Sequence, residues 1–215
     1  MVLTTACATI PEPPPPVAST ALEPNTEPAA SVRSSTDAAE LEATGNVLPP
    51  GRYTNSGFTP PITIELDEGW EAVQAGNGFF DVQQRVGDPE VIAVQFARVT
   101  GVYGDAGTAD APEGHDDAER ILRANPGVDV IEASDSRIGG LTGSQITVEN
   151  AGELHASVLE VPPGALGIDP GRRLWIAFFD TDAGLLAILV GGSVAEWQAA
   201  LEAAEPVLES IEISP

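Results

Sequence analysis

Residues 172–193 read RRLWIAFFDTDAGLLAILVGGS, two apolar runs of strand length joined by a short acidic turn, and no other stretch restricts the fold so narrowly. In the first run Leu174, Ile176 and Phe178 alternate with Trp175, Ala177 and Phe179, so both faces of the strand are apolar; LLAILV is apolar throughout. Strands of this kind sit in mid-sheet with both faces covered. One cover is legible just downstream. In SVAEWQAALEAAEPVLESI, Trp197, Leu201, Ala204 and Leu208 recur at helical spacing, and Ser193 three residues before Glu196 predicts a capping box. Pro206 predicts a bend or break late in that helix, and IEI a closing short strand.

Upstream, ordered structure is expected from about residue 49. Ile62, Ile64 and Leu66 alternate with Thr63, Glu65 and Asp67, one face buried and the other wet. GWEAVQAGNGFFDVQQRVG predicts a hairpin about Gly76, Asn77 and Gly78. EVIAVQFARVTGVYG predicts a well-covered strand, followed by an acidic loop and the short helix DDAERILRA, stopped by NPG. VDVIEASDSRIGG and GSQITVENAG predict two more strands; ELHASVLEV predicts another, and PPGALGIDPGR a loop long enough to be an insertion. Strands, a short helix, more strands and a terminal amphipathic helix make an α+β domain: an antiparallel sheet covered by the C-terminal helix and the shorter mid-chain one.

ITIELDEGW, IGGLTGSQITV and WIAFFDTDAGLLAILVGGSVAEWQAALEAAEPVLESIEI together resemble the PsbP-like fold, known from an extrinsic subunit of the oxygen-evolving photosystem and from actinobacterial lipoproteins of the LpqN type. The resemblance spans roughly residues 58–213. It implies a non-enzymatic exported or peripheral domain, and it carries no catalytic motif onto positions of this chain.

Residues 1–48 differ in kind. The stretch after Cys7 is rich in Pro, Ala, Ser, Thr and Glu, with too few large apolar residues to offset the entropy of ordering, and reads as a disordered tether. Cys7 is the only cysteine, so no internal disulfide forms. Small or apolar residues, then Cys7, then a long tether resemble the maturation site of bacterial lipoproteins, in which that cysteine is lipidated, although Thr4 stands where leucine is usual. With six residues ahead of Cys7, a basic, apolar leader is expected upstream of Met1. The other reading is an incidental thiol in a soluble protein's tail.

Asp and Glu number 33 against 9 cations, all of them arginine, for a formal charge of -24. Such a field disfavours nucleic acid and anionic headgroups, so partners are expected to be cationic or neutral. The lysine-free composition fits either a surface suited to high salt or codon bias.

Four constellations are candidate sites. Asp180, Asp182 and Gly184 resemble the opening of a calcium loop, but its twelfth position is Gly191 rather than a bidentate carboxylate, and a hairpin turn explains the same residues. His115 lies among Glu113, Asp116 and Asp117 at a helix start, where carboxylates complement the dipole; His155 is the only other imidazole, and a metal site would need the two to meet. Arg172 and Arg173, the only adjacent cations, with Trp175 beside them, are the candidate contacts for an anionic ligand; surface pairing with acids such as Asp169 is the plainer account. Trp70, Trp175 and Trp197 otherwise read as core. No G-x-S-x-G, G-x-G-x-x-G or Walker sequence occurs.

The expectation is therefore an exported, lipid-anchored binding or accessory domain of the cell envelope, with no cofactor, no metal and no enzymatic activity. Its partner would be a protein or small molecule, and its only membrane contact the anchor at Cys7. Two alternatives stay open: a hydrolytic or metal-dependent enzyme using His115 or His155, and a structural or assembly subunit.

Overall fold

The structure, a computed structural model, describes residues 38–85, 91–162 and 164–214. Cys7 and the tether as far as residue 37 lie outside the described residues. The chain runs β1 (Ala39–Glu40), β2 (Gly51–Asn55), β3 (Ile62–Leu66), β4 (Trp70–Gly76), β5 (Phe79–Arg85), β6 (Val91–Arg98), β7 (Gly101–Tyr103) and β8 (Ala109–Asp110). Helix α1 (His115–Arg123) follows, then β9 (Val128–Ile138), β10 (Leu141–Asn150), β11 (Ala156–Val161), β12 (Gly164–Ile168), β13 (Arg172–Thr181) and β14 (Gly184–Ser193), and finally α2 (Trp197–Glu209) and β15 (Glu212–Ile213).

Seven strands form one sheet in the order β4-β5-β6-β14-β13-β10-β9, antiparallel at every step. The two strands that are apolar on both sides lie inside it, as their sequence requires. One face, carrying Ala177, Phe179, Ile188 and Val190, packs under α2 (Ala200, Ala204, Val207) and a small sheet of order β1-β2-β3-β15. The other face, carrying Ile176, Phe178, Ala187 and Leu189, packs under α1 (Ala118, Ile121, Leu122) and a small sheet of order β12-β11-β7-β8. The result is α+β with two core layers, one on each side of the central sheet.

Three expectations need correction. The folded part begins before residue 49: Ala39 and Glu40 pair in parallel with Tyr53 and Thr54, and Leu41 is buried. Leu48 N–H donates to the Trp70 carbonyl at 2.7 Å, alongside the bridge between Val47 and Glu71. This segment has one buried leucine and is otherwise held by backbone hydrogen bonds and by Glu40, whose Oε1 accepts from the Ser56 N–H and hydroxyl, contacts that composition does not register. The stretch expected as a loop insertion after β11 contains β12, which pairs antiparallel with β11; Gly164, Ala165 and Gly167 give no alternation to read.

The start of α2 also differs. Ser193 Oγ accepts the Glu196 N–H at 3.1 Å, but the helix begins at Trp197 with no side-chain cap bond from Glu196. The helix then runs through Pro206 to Glu209, because the missing proline N–H removes a single bond from the last turn. Ser210 fixes that end: its Oγ accepts the Glu65 N–H of β3 at 2.8 Å.

Candidate functional site

The two histidines sit at opposite ends of β13. Asp180, near its C-terminal end, accepts the backbone N–H of His115 at 3.0 Å and meets His115 Nδ1 at 2.6 Å, so a carboxylate from another strand occupies the N-terminus of α1. Asp169, just before the strand, meets His155 Nδ1 at 2.8 Å. The eight strand steps from Arg172 to Asp180, at about 3.3 Å each, put roughly 25 Å between the two pairs. The imidazoles therefore cannot share a metal, and among the described residues no group of three or more His, Cys, Asp or Glu is placed to hold one. The Asp180–Gly184 segment is the β13–β14 hairpin turn, with Thr181 Oγ1 donating to the Gly184 carbonyl at 2.7 Å. Within α1, the Arg120 guanidinium beside Asp117 holds that carboxyl below the usual carboxylate range.

Strand alternation separates the arginine pair. Arg173 faces Glu149 directly across the β10–β13 ladder, with Nη2 2.7 Å from Oε2, and its guanidinium lies 5.6 Å from the ring centroid of Trp197. That positions the start of α2 over the sheet through a cation–π contact. Arg173 Nε is buried without a hydrogen-bond partner. Arg172 points to the opposite face and donates to the Val91 carbonyl at 3.3 Å. Trp175 lies on the α2 face, half-buried, against the core. The three candidate residues thus do not converge on one ligand.

Two concavities bear on function. One, about 430 Å³, is formed by loops around Tyr103, Asn125, Leu154 and His155. Here the His155 ring is seated on Gly167: a Cβ at residue 167 would overlap both Nε2 and the Ala156 carbonyl oxygen. The second is a groove of about 530 Å³ between α2 and the outer strands β9 and β10. Trp175, Leu201, Leu208 and Ile138 supply its apolar lining, and Glu202, Glu205 and Glu209, all exposed, line its helical wall. The sequence held a signal for this wall in three acids recurring on one side of a helix, although only the fold shows that they overlook the sheet.

Asp81 was not singled out by sequence. It is 4% exposed on β5; Gln83 Nε2 donates to its Oδ2 at 2.7 Å, and Oδ1 has no partner. Burial pushes its carboxyl above the ordinary 3.8, and hydrogen bonds from Gln83 and the Gln74 backbone pull it part of the way back. The folded state therefore holds this proton more tightly than the unfolded chain, and the associated stability is lost as pH rises through the folded pKa. Asp81→Asn is expected to raise stability at pH 7 by about 1 kcal/mol, with the gain shrinking as pH falls toward 3.8. Urea unfolding across that pH range checks this; a gain independent of pH would contradict it.

The fold defines an α+β class of domain: an antiparallel central sheet covered on each face by a helix and a smaller sheet. No family model matches the chain, and no curated protein matches it. Among solved structures it is similar to cyanobacterial PsbP (CyanoP) from Synechocystis sp. PCC 6803, at 13% identity and TM-score 0.42, over 76% of this chain and 92% of that one. It is also similar to LpqN of Mycobacterium tuberculosis, at 11% identity and TM-score 0.39, over 79% of this chain and 90% of that one. A protein of Bacteroides thetaiotaomicron matches at 9% identity and TM-score 0.35, over 72% of this chain and 45% of that one. The first two are of the kinds to which the sequence bears its resemblance.

Proposed function

We propose that this chain is an exported accessory domain of the cell envelope that acts by binding rather than by catalysis, held at the membrane through lipid on Cys7. The observation that carries the reading is the engagement of its chemically capable side chains in separate local pairs: His115 with Asp180, His155 with Asp169, Arg173 with Glu149 and Trp197. Each pair fixes a helix end or a loop, and the two histidine pairs lie at opposite ends of one strand. The sequence around Cys7 supports the anchor. LpqN is described as involved in cell envelope biogenesis, and the same setting is proposed for this chain.

The second reading, an enzyme, draws on His155 at the wall of the 430 Å³ concavity. Its ring packs so closely on Gly167 that a Cβ there would overlap Nε2, and its Nδ1 meets Asp169, which favours a structural role for the ring.

Cys7→Ala, made in this chain expressed behind a bacterial lipoprotein leader, tests the anchor. The wild type is expected in the detergent phase on phase partition and to incorporate labelled palmitate; the variant is expected in the aqueous phase without label. Unchanged partition of the variant would overturn the anchored reading.

A further inference from the structure

The two edges of the central sheet are not alike. The β4 edge is covered: Gly45 N–H donates to the Ala72 carbonyl at 3.1 Å and Leu48 N–H to that of Trp70. At the other edge β9 pairs with β10 alone, and among the described residues no backbone partner lies along its outer side. An uncovered strand of 11 residues is a template for another strand. A register shift leaves Ile131 unpaired and half-exposed between Val130, opposite Val148, and Glu132, opposite Thr147. Such a bulge interrupts the edge. Beyond it, residues 132–138 keep a regular register with β10 and run beside the groove under α2, about 23 Å of open strand.

Charge selects the occupant. Asp129, Glu132 and Asp135 are exposed on β9 and Glu202, Glu205 and Glu209 on α2, against Arg137 alone. A second copy of a chain of charge -24 would set acid against acid along this edge, whereas a cationic strand gains at each cross-strand pair. The apolar lining from Trp175, Leu201, Leu208 and Ile138 can take alternate side chains of an extended segment.

We propose that the open edge of β9 at residues 132–138, with the groove beneath α2, docks an extended lysine- or arginine-bearing segment of a partner protein by strand addition. This rests on the binding reading above and gives it a place and a partner chemistry. The probe is a labelled alternating Lys–Val octapeptide titrated into the full chain, compared with a Glu–Val octapeptide and with a Lys–Val peptide N-methylated on alternate amides.

Saturable binding of the first is expected, with roughly tenfold weakening by N-methylation as ladder bonds are lost, and no binding of the acidic peptide. The peptide should slow amide exchange at residues 132–138. Combining Glu202→Lys, Glu205→Lys and Glu209→Lys, all at exposed helix positions, should weaken binding roughly tenfold without changing the melting temperature by more than a few degrees. Equal binding of the N-methylated peptide, protection elsewhere on the molecule, or no binding of the Lys–Val peptide would each overturn the proposal. Failure here with Cys7-dependent partition intact would overturn the docking edge and leave the envelope reading standing; loss of partition with peptide binding intact would do the reverse.

Discussion

Replacing Phe80 by alanine is expected to destabilise the domain by about 4 kcal/mol, the largest loss from any single truncation proposed for this molecule. Phe80 is fully buried on β5, stacked on Phe96 with ring centroids 4.3 Å apart and planes 8° from parallel, and edge-on to Phe58 at 5.3 Å. Phe58 is held there by a loop whose amides at Gly57 and Phe58 both donate to Asn55 Oδ1 at 3.1 Å. Removing the middle ring leaves a cavity that neither neighbour can fill without losing its own contacts, so collapse recovers little. Against the usual 5–15 kcal/mol for a domain, about 4 is a large share, and the melting temperature should fall by about 10 °C. Urea or thermal unfolding gives the answer; a loss under about 1 kcal/mol would mean that the three rings do not form a packed unit.

Gly143→Ala should cost about 3 kcal/mol by the opposite mechanism, overpacking. Gly143 lies on β10 opposite Phe179 of β13, where a Cβ would overlap the Phe178 carbonyl oxygen and come within 2.9 Å of Phe179 Cδ1. The obstructing atom is backbone in the middle of the sheet, so relief requires the strands to separate. A variant as stable as the wild type would show that the β10–β13 register differs from the one described.

The same position explains what sequence could and could not tell. Strands β13 and β14 and helix α2 were legible because their apolar periodicity is dense and their partners are neighbours in the chain. The segment at residues 38–48 and strand β12 were not, since their places are fixed by backbone hydrogen bonds and close glycine contacts that leave no mark in hydropathy. The surroundings of the candidate arginines were hidden for a related reason. An acidic partner was the plainer expectation for the pair, but Glu149, which meets Arg173, is 24 residues away in sequence and comes opposite only through the β10–β13 ladder. His115 and Asp180, separated by 65 residues, could be joined only by the fold, which turns an apparent calcium loop and an apparent metal ligand into one helix-end contact. The groove under α2 depends on which part of a sheet a helix fails to cover, and that is a property of the tertiary structure.

The central claim is that this fold spends its reactive side chains on holding itself together and leaves one sheet edge for a partner. Amide hydrogen exchange on the full-length chain, free of any peptide, tests it most directly. Amides of β13 and β14 are expected to exchange only through global opening, and the outward-facing alternate amides of residues 132–138 about ten-thousand-fold faster or more. Protection along β9 equal to that of β14 would mean that the edge is already covered in the free molecule, and would contradict the claim.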